Sequence, residues 1–195
     1  KENLIAAIEI AAAYDQEKAI VPEVCILFGD KLFRGNRTTK INAESFDAFQ
    51  SFNYPALANI GIHIHYDYSA IDYTPRTEPV SAFCDVDTNI AILKIFPGMR
   101  PEVIDAVTGI PGLKGIILET YGSGNAPTNK VFLNKIKEVL SKGIFVYNVT
   151  QCQGGSVEMG KYETSRELLN AGVISGHDIT TEAAVCKMMY VLGKY

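Results

Sequence analysis

The stretch Arg34-Gly35-Asn36-Arg37-Thr38-Thr39-Lys40 packs three cations and two hydroxyls into seven residues. A threonine hydroxyl is a weak nucleophile at neutral pH and needs a group that takes its proton. Lysine becomes such a base when neighbouring cations and partial burial depress its pKa. Arg34 and Arg37 are close enough in sequence to press on Lys40 in this way, so Thr38, Thr39 and Lys40 are candidates for hydrolysis by an activated hydroxyl. A solvated charged loop is the simpler alternative. A functional loop stands level with it, because an apolar strand delivers the stretch and a segment with Phe46, Phe49 and Phe52 follows it.

A second candidate is Leu113 to Asn125, LKGIILETYGSGN. Here a short apolar run gives way to a loop in which Gly122 and Gly124 permit positive φ or close backbone approach, and Asn125 puts an amide at the rim. A loop at a strand's carboxyl end followed by a helix is where ligands sit in open α/β sheets, although an ordinary βα turn has the same pattern. The loops at 122–127 and 150–156 could accept a phosphate. The match is weak, because GSGNAP lacks the third glycine of the dinucleotide fingerprint and no Gly-Lys-Thr pattern occurs. His63, His65 and Asp67 alternate as metal ligands would on a strand. With no fourth ligand nearby, a polar solvent face is preferred, and neither a metal nor another cofactor is expected. Cys25, Cys84, Cys152 and Cys186 form no CxxC pair and read as reduced thiols. Cys152 stands at a strand end but has no histidine beside it to act as base.

These residues need elements to hold them. A chain of 195 residues, 47% hydrophobic and 21% charged, has the composition of a soluble globular protein. No apolar run approaches the ~20 residues of a membrane span. A net charge of −4 without a basic face argues against nucleic acid. Residues 2 to 14 predict a helix with Leu4, Ile5, Ile8 and Ala12 on one face. A helix as first element suggests that the natural polypeptide begins earlier than Lys1, and the stretch does not read as an export signal. Val24 to Phe28 and Lys31 to Phe33 predict a hairpin around Gly29-Asp30, and Ile60 to Ile64 predicts a further strand. Residues 66 to 88 read as a linker, with a domain boundary near 85.

From Ile90 on, strands at 90–96, 115–118, 144–149 and 173–174 alternate with helices at 101–107, 128–142, 164–170 and 181–192. That rhythm predicts a parallel sheet. The fold class is α/β: residues 1–85 as the end of a larger domain, then residues 86–195 as a smaller Rossmann-like domain. At this level a non-catalytic α/β binding module stays open.

Three motifs in order, RGNRTTK at 34–40, YGSGNAP at 121–127 and NVTQC at 148–152, followed by Met159-Gly160 and Tyr162-Glu163-Thr164, resemble the bacterial type I L-asparaginases along essentially the whole chain. The resemblance implies hydrolysis of L-asparagine to L-aspartate and ammonia, a cytoplasmic homo-oligomer (dimer or tetramer), and a small-molecule amino acid as partner. It also implies a threonine nucleophile from a Thr-Gly-Gly-Thr loop and a second threonine from a His-Gly-Thr-Asp-Thr motif. Neither motif occurs in these residues. The lysine carries over to Lys40, the asparagine that approaches a neighbouring subunit's substrate pocket to Asn125, and two positions lining a second, effector asparagine site to Thr39 and Cys152. Where the type I pattern has an arginine before Ser-Tyr-Gly, this chain has Glu119, and a carboxylate repels a substrate carboxylate. Glutaminases and glutamyl-tRNA amidotransferase-type amidohydrolases share parts of these motifs.

Overall fold

A computed structural model describes residues 2–45, 47–75, 79, 81–127, 129–161 and 163–195. The chain divides into two compact units, Lys1–Ser81 and Ala82–Tyr195.

The first unit opens with helix α1 (Glu2–Ala11). The helix stops short of Tyr14, because the chain turns back in a small hairpin of β1 (Tyr14–Asp15) and β2 (Lys18–Ala19). Its turn residues Gln16 and Glu17 take φ of 45° and 67°, left-handed conformations reached here without glycine or asparagine. This is why the turn left no mark in the sequence. Strands β3 (Cys25–Phe28) and β4 (Lys31–Arg34) pair antiparallel around Gly29, as their pattern predicts. A 3₁₀ turn over Gly35–Arg37 leads to β5 (Thr39–Lys40), which pairs with β6 (Phe49–Gln50). The expected single strand at 60–64 is instead a hairpin, with β7 (Ala58–Ile60) returning as β8 (Ile64–Tyr66) through Gly61, Ile62 and His63. His63 therefore lies in the turn while His65 lies on β8, and the two do not alternate along one strand with Asp67. Strands β3, β4, β7 and β8 form an antiparallel sheet in that order.

Leu32, Leu57 and Ala58 are buried in this unit together with Ala70 and Ile71. The segment read as a linker thus begins as core. Burying two apolar side chains there is favourable by roughly 25 cal/mol per Å² removed from water.

The second unit alternates strand and helix: β9 (Ile90–Lys94), α2 (Pro101–Thr108), β10 (Gly115–Thr120), α3 (Lys130–Ser141), β11 (Phe145–Thr150), α4 (Glu163–Ala171), β12 (Ile174–Ser175) and α5 (Thr181–Lys194). The sheet is parallel throughout, in the order β12-β11-β10-β9. Successive strand residues face opposite ways. Ile116, Leu118 and Val146 accordingly pack with Ile104 of α2, Ile136 of α3 and Leu168 of α4, while Ile117 and Val149 pack with Ala184 and Met188 of α5. Both faces of β10 are covered, and the near-continuous apolar run of this strand follows from that. Gly115 leaves room for the Met188 sulfur, which a Cβ there would strike.

Candidate active site

In the first unit the basic stretch is built on Arg34, the last residue of β4. Its guanidinium is paired with Glu23 through both Nε and Nη2, the latter at 2.9 Å, and Nη2 also donates to the Ala70 carbonyl at 3.1 Å. The Tyr54 ring lies under it at 4.2 Å, and the Tyr54 hydroxyl donates to the same carbonyl. Glu23 further accepts from the Asp72 backbone N–H at 2.7 Å. Burial pushes the Glu23 carboxyl up, but the hydrogen bonds from Arg34 and the Asp72 backbone outweigh it and hold the group below its ordinary value.

The Arg34 charge is met by Glu23, and Arg37 lies 5.6 Å from the centre of the Tyr54 ring. Thr38 is buried, and its hydroxyl donates to the Arg34 carbonyl at 2.7 Å. It therefore closes the turn. Thr39 is half-buried and Lys40 exposed, with its Nζ 5.8 Å from the centre of the Phe49 ring. Phe49 in turn packs against Phe28 at 5.0 Å between ring centres. Lys40 is thus presented from a short ladder whose approach is clamped by the Arg34 cluster.

In the second unit the loop after β10 closes on itself, with Tyr121 and Asn125 exchanging backbone hydrogen bonds at 2.9 and 2.8 Å. Gly122 and Gly124 take φ of 47° and 103°, the freedom expected of them. Gly124 is also required by space, because a Cβ there would meet Val157 at 2.8 Å and the Asn148 amide nitrogen at 3.3 Å. The loop is tied down by the Thr150 hydroxyl, which donates to the Gly122 carbonyl at 2.6 Å, and by the Glu158 N–H on the Ser123 carbonyl. Asn125 is half-buried at its base.

Cys152 is exposed, and its N–H donates to the Thr150 hydroxyl at 3.0 Å. Gln151 turns inward, donating to the carbonyls of Ile95 and Glu119 and so joining the ends of β9 and β10. The Glu119 carboxylate accepts from the Thr181 hydroxyl at 2.7 Å and lies 3.6 Å from the Lys94 ammonium. Because Thr181 begins α5, this carboxylate stands at a helix amino end, where negative charge is favoured. Below the loop, Thr120 donates to the Asn148 side-chain oxygen at 2.7 Å, both residues being fully buried.

Lys40 and Thr39 belong to the first unit, Asn125 and Cys152 to the second. Sequence reasoning missed the partners that hold them. Glu119 meets Thr181 across 62 positions and Thr150 meets Gly122 across 28, separations that carry no local signal. Asp67 accepts from Ser69 in a tight turn. Among the described residues no group of His, Cys, Asp and Glu side chains is gathered as a metal site.

The second unit is an α/β domain in which the segments after β9 and β10 border a pocket lined by Phe96, Met99, Tyr121, Pro127 and Phe132. Residues 89–195 match the Glutaminase/Asparaginase C-terminal domain and residues 1–72 the Asparaginase N-terminal family. The chain belongs to the glutaminase/asparaginase family. It is 39% identical over 201 residues to L-asparaginase 1 of Escherichia coli, a match covering 98% of this chain and 55% of that protein. It is 38% identical to an L-asparaginase of Dirofilaria immitis over all of this chain and 32% of that one. The crystal structure of L-asparaginase I from Vibrio cholerae superposes with a TM-score of 0.85 at 37% identity, covering 99% of this chain and 56% of that one. The chain therefore spans from about a third to just over half of the length of these relatives.

Proposed function

We propose that the protein to which this chain belongs is an L-asparagine amidohydrolase, adding water to the side-chain amide to give L-aspartate and ammonia. The observation that carries the reading is the match to named L-asparaginases over nearly the whole chain. Within it, residues 1–85 form the end of the amino-terminal domain and residues 86–195 the carboxyl-terminal domain. A threonine supplies the nucleophile, and Lys40 assists the transfer of its proton. Lys40 suits this role because its backbone is fixed by the β5–β6 ladder and the Arg34 cluster while its ammonium is left exposed. Asn125, held at the base of the glycine loop, reaches a neighbouring subunit's substrate in a dimer or tetramer working in the cytoplasm. Thr39 and Cys152 each match a position that lines an effector site in the type I pattern, and in the second unit Glu119, already engaged by Thr181 and Lys94, disfavours a bound carboxylate.

The test is ammonia release from L-asparagine by the complete protein and by its Lys40→Met variant, each checked for folding by circular dichroism. Loss of turnover in a folded variant is expected. A variant that keeps more than about a tenth of wild-type turnover, a barrier change of only ~1.4 kcal/mol, would make Lys40 a bystander. The 195-residue chain by itself should release no ammonia, since it contains neither threonine motif.

A further inference from the structure

The proposed reaction leaves one buried polar group without a role. Thr120 and Asn148 stand on the neighbouring strands β10 and β11, and both are completely buried. With no surface of their own, they are out of reach of any further part of the complete protein. The Thr120 hydroxyl donates to the Asn148 side-chain oxygen at 2.7 Å and so fixes the plane of the amide. The other half of that amide, Nδ2, has no acceptor among the described residues. A buried donor that makes no bond forfeits the ones it had with water, and an apolar side chain in its place would avoid the loss.

The unused donor lies against the glycine loop, since a Cβ at Gly124 would stand 3.3 Å from it. Within that loop the carbonyls of Tyr121, Gly122, Ser123 and Asn125 accept from the Asn125 N–H, the Thr150 hydroxyl, the Glu158 N–H and the Tyr121 N–H respectively. Among the described residues none donates to the Gly124 carbonyl. An unmet donor and an unmet acceptor are thus close neighbours. Gly124, at a φ of 103° and without a Cβ, can turn its carbonyl toward the amide at little steric cost. That carbonyl shares a planar peptide with the Asn125 nitrogen, so the turn re-aims Asn125.

We propose that Asn148 is a positioning residue for Asn125: held by Thr120, its amide donates to the Gly124 carbonyl when the loop carries Asn125 onto the substrate. The inference rests on the amidohydrolase reading and on the place of Asn125 in it. Asn148 itself touches no substrate.

Ammonia release by the complete protein tests this, with Asn148→Leu and Asn148→Ala as two variants that both lack the donor. Leucine refills the space and alanine leaves a cavity, so the two differ in urea midpoint. Both should nonetheless lose about tenfold or more in kcat/KM, and agree within about threefold. Asn125→Ala lowers turnover by itself, and adding Asn148→Leu to it should cost less than about twofold more, because the amide acts only through Asn125. In the wild type, the Asn148 side-chain amide proton should move downfield in the NMR spectrum when L-aspartate is added. Activity losses that follow the urea midpoints, an undiminished cost of Asn148→Leu beside Asn125→Ala, wild-type turnover in Asn148→Leu, or an unmoved amide proton would each overturn the proposal. A wild type that releases no ammonia from L-asparagine would instead overturn the reading of function, and this inference with it.

Discussion

Ile116, Ile117, Leu118, Val146 and Val149 of the second unit are completely buried, whereas Leu4, Ile5 and Ile8 of the first remain 68%, 63% and 61% exposed. Both sets are apolar and both are regularly spaced. The difference lies in what each unit brings to cover them. The parallel sheet has helices on both faces, so its central strand β10 is covered on each side within the unit. The antiparallel sheet of the first unit is packed by one helix, whose buried residue is Ile10 and not the stripe that its periodicity selects. Hydrophobic periodicity thus identifies a face suited to burial, and packing decides whether the unit itself buries it.

The largest effect expected from this contrast is chemical. Lys40 stands on a two-residue strand of the less enclosed unit, and in the complete protein Lys40→Met should lower turnover about 100-fold to 10,000-fold, the usual range for a lost proton transfer. Steady-state ammonia release measures it.

Next comes the packing difference itself. Ile136 is fully buried in α3, and Ile136→Ala should destabilise the second unit by about 2–5 kcal/mol, while Ile8→Ala in the first unit should change stability by less than ~0.5 kcal/mol. Urea unfolding of the two variants reads this directly. A comparable loss at Ile8 would mean that the exposed stripe is covered in solution and would break the comparison.

The thiols sharpen it. Burial, reinforced by the Glu23 charge, pushes the Cys25 thiol up to about 11, from an ordinary value of 9.0. Reaction through the thiolate should therefore label Cys25 about 100-fold more slowly than an unperturbed thiol, whereas exposed Cys152 and Cys186 should react first. Timed alkylation followed by peptide mass analysis gives the order.

A smaller effect is expected at the Arg34 cluster. The folded-state pKa of Glu23 lies below the ordinary 4.5, so its contribution is present above that value and lost as the pH falls through the lower, folded-state one. Glu23→Gln should cost about 1–3 kcal/mol at neutral pH and flatten the acid limb of stability below about pH 4.5. Least of all, Lys142→Met, which removes an exposed pair with Glu138 one helical turn away, should stay within ~0.5 kcal/mol of wild type.

How much was legible follows the same division. The second unit alternates strands and helices whose apolar residues recur with clear periods and whose glycines mark the ends, so every element from Ile90 onward is present and the sheet is parallel as expected. In the first unit, Ile60, Ile62 and Ile64 read as one strand because the turn between β7 and β8 carries an isoleucine, 97% exposed, at its tip. The hairpin at Gln16-Glu17 used residues that seldom turn. For the candidate site, the family motifs mark Lys40, Thr39, Asn125 and Cys152 in the sequence. The groups around them were not legible, because Glu23, Tyr54 and Ala70 reach Arg34 only after the chain has folded.

Thr150 accepts from the Cys152 N–H and donates to the Gly122 carbonyl. Since the same hydroxyl oxygen accepts one bond and carries the proton of the other, the two strand-end loops are pinned at a common atom. The Thr150 side chain thus links the Cys152 backbone to the glycine loop without passing along either strand. Thr150→Val would keep the shape of the pin and remove both of its hydrogen bonds, leaving the Glu158 N–H on the Ser123 carbonyl as the tie between the loops.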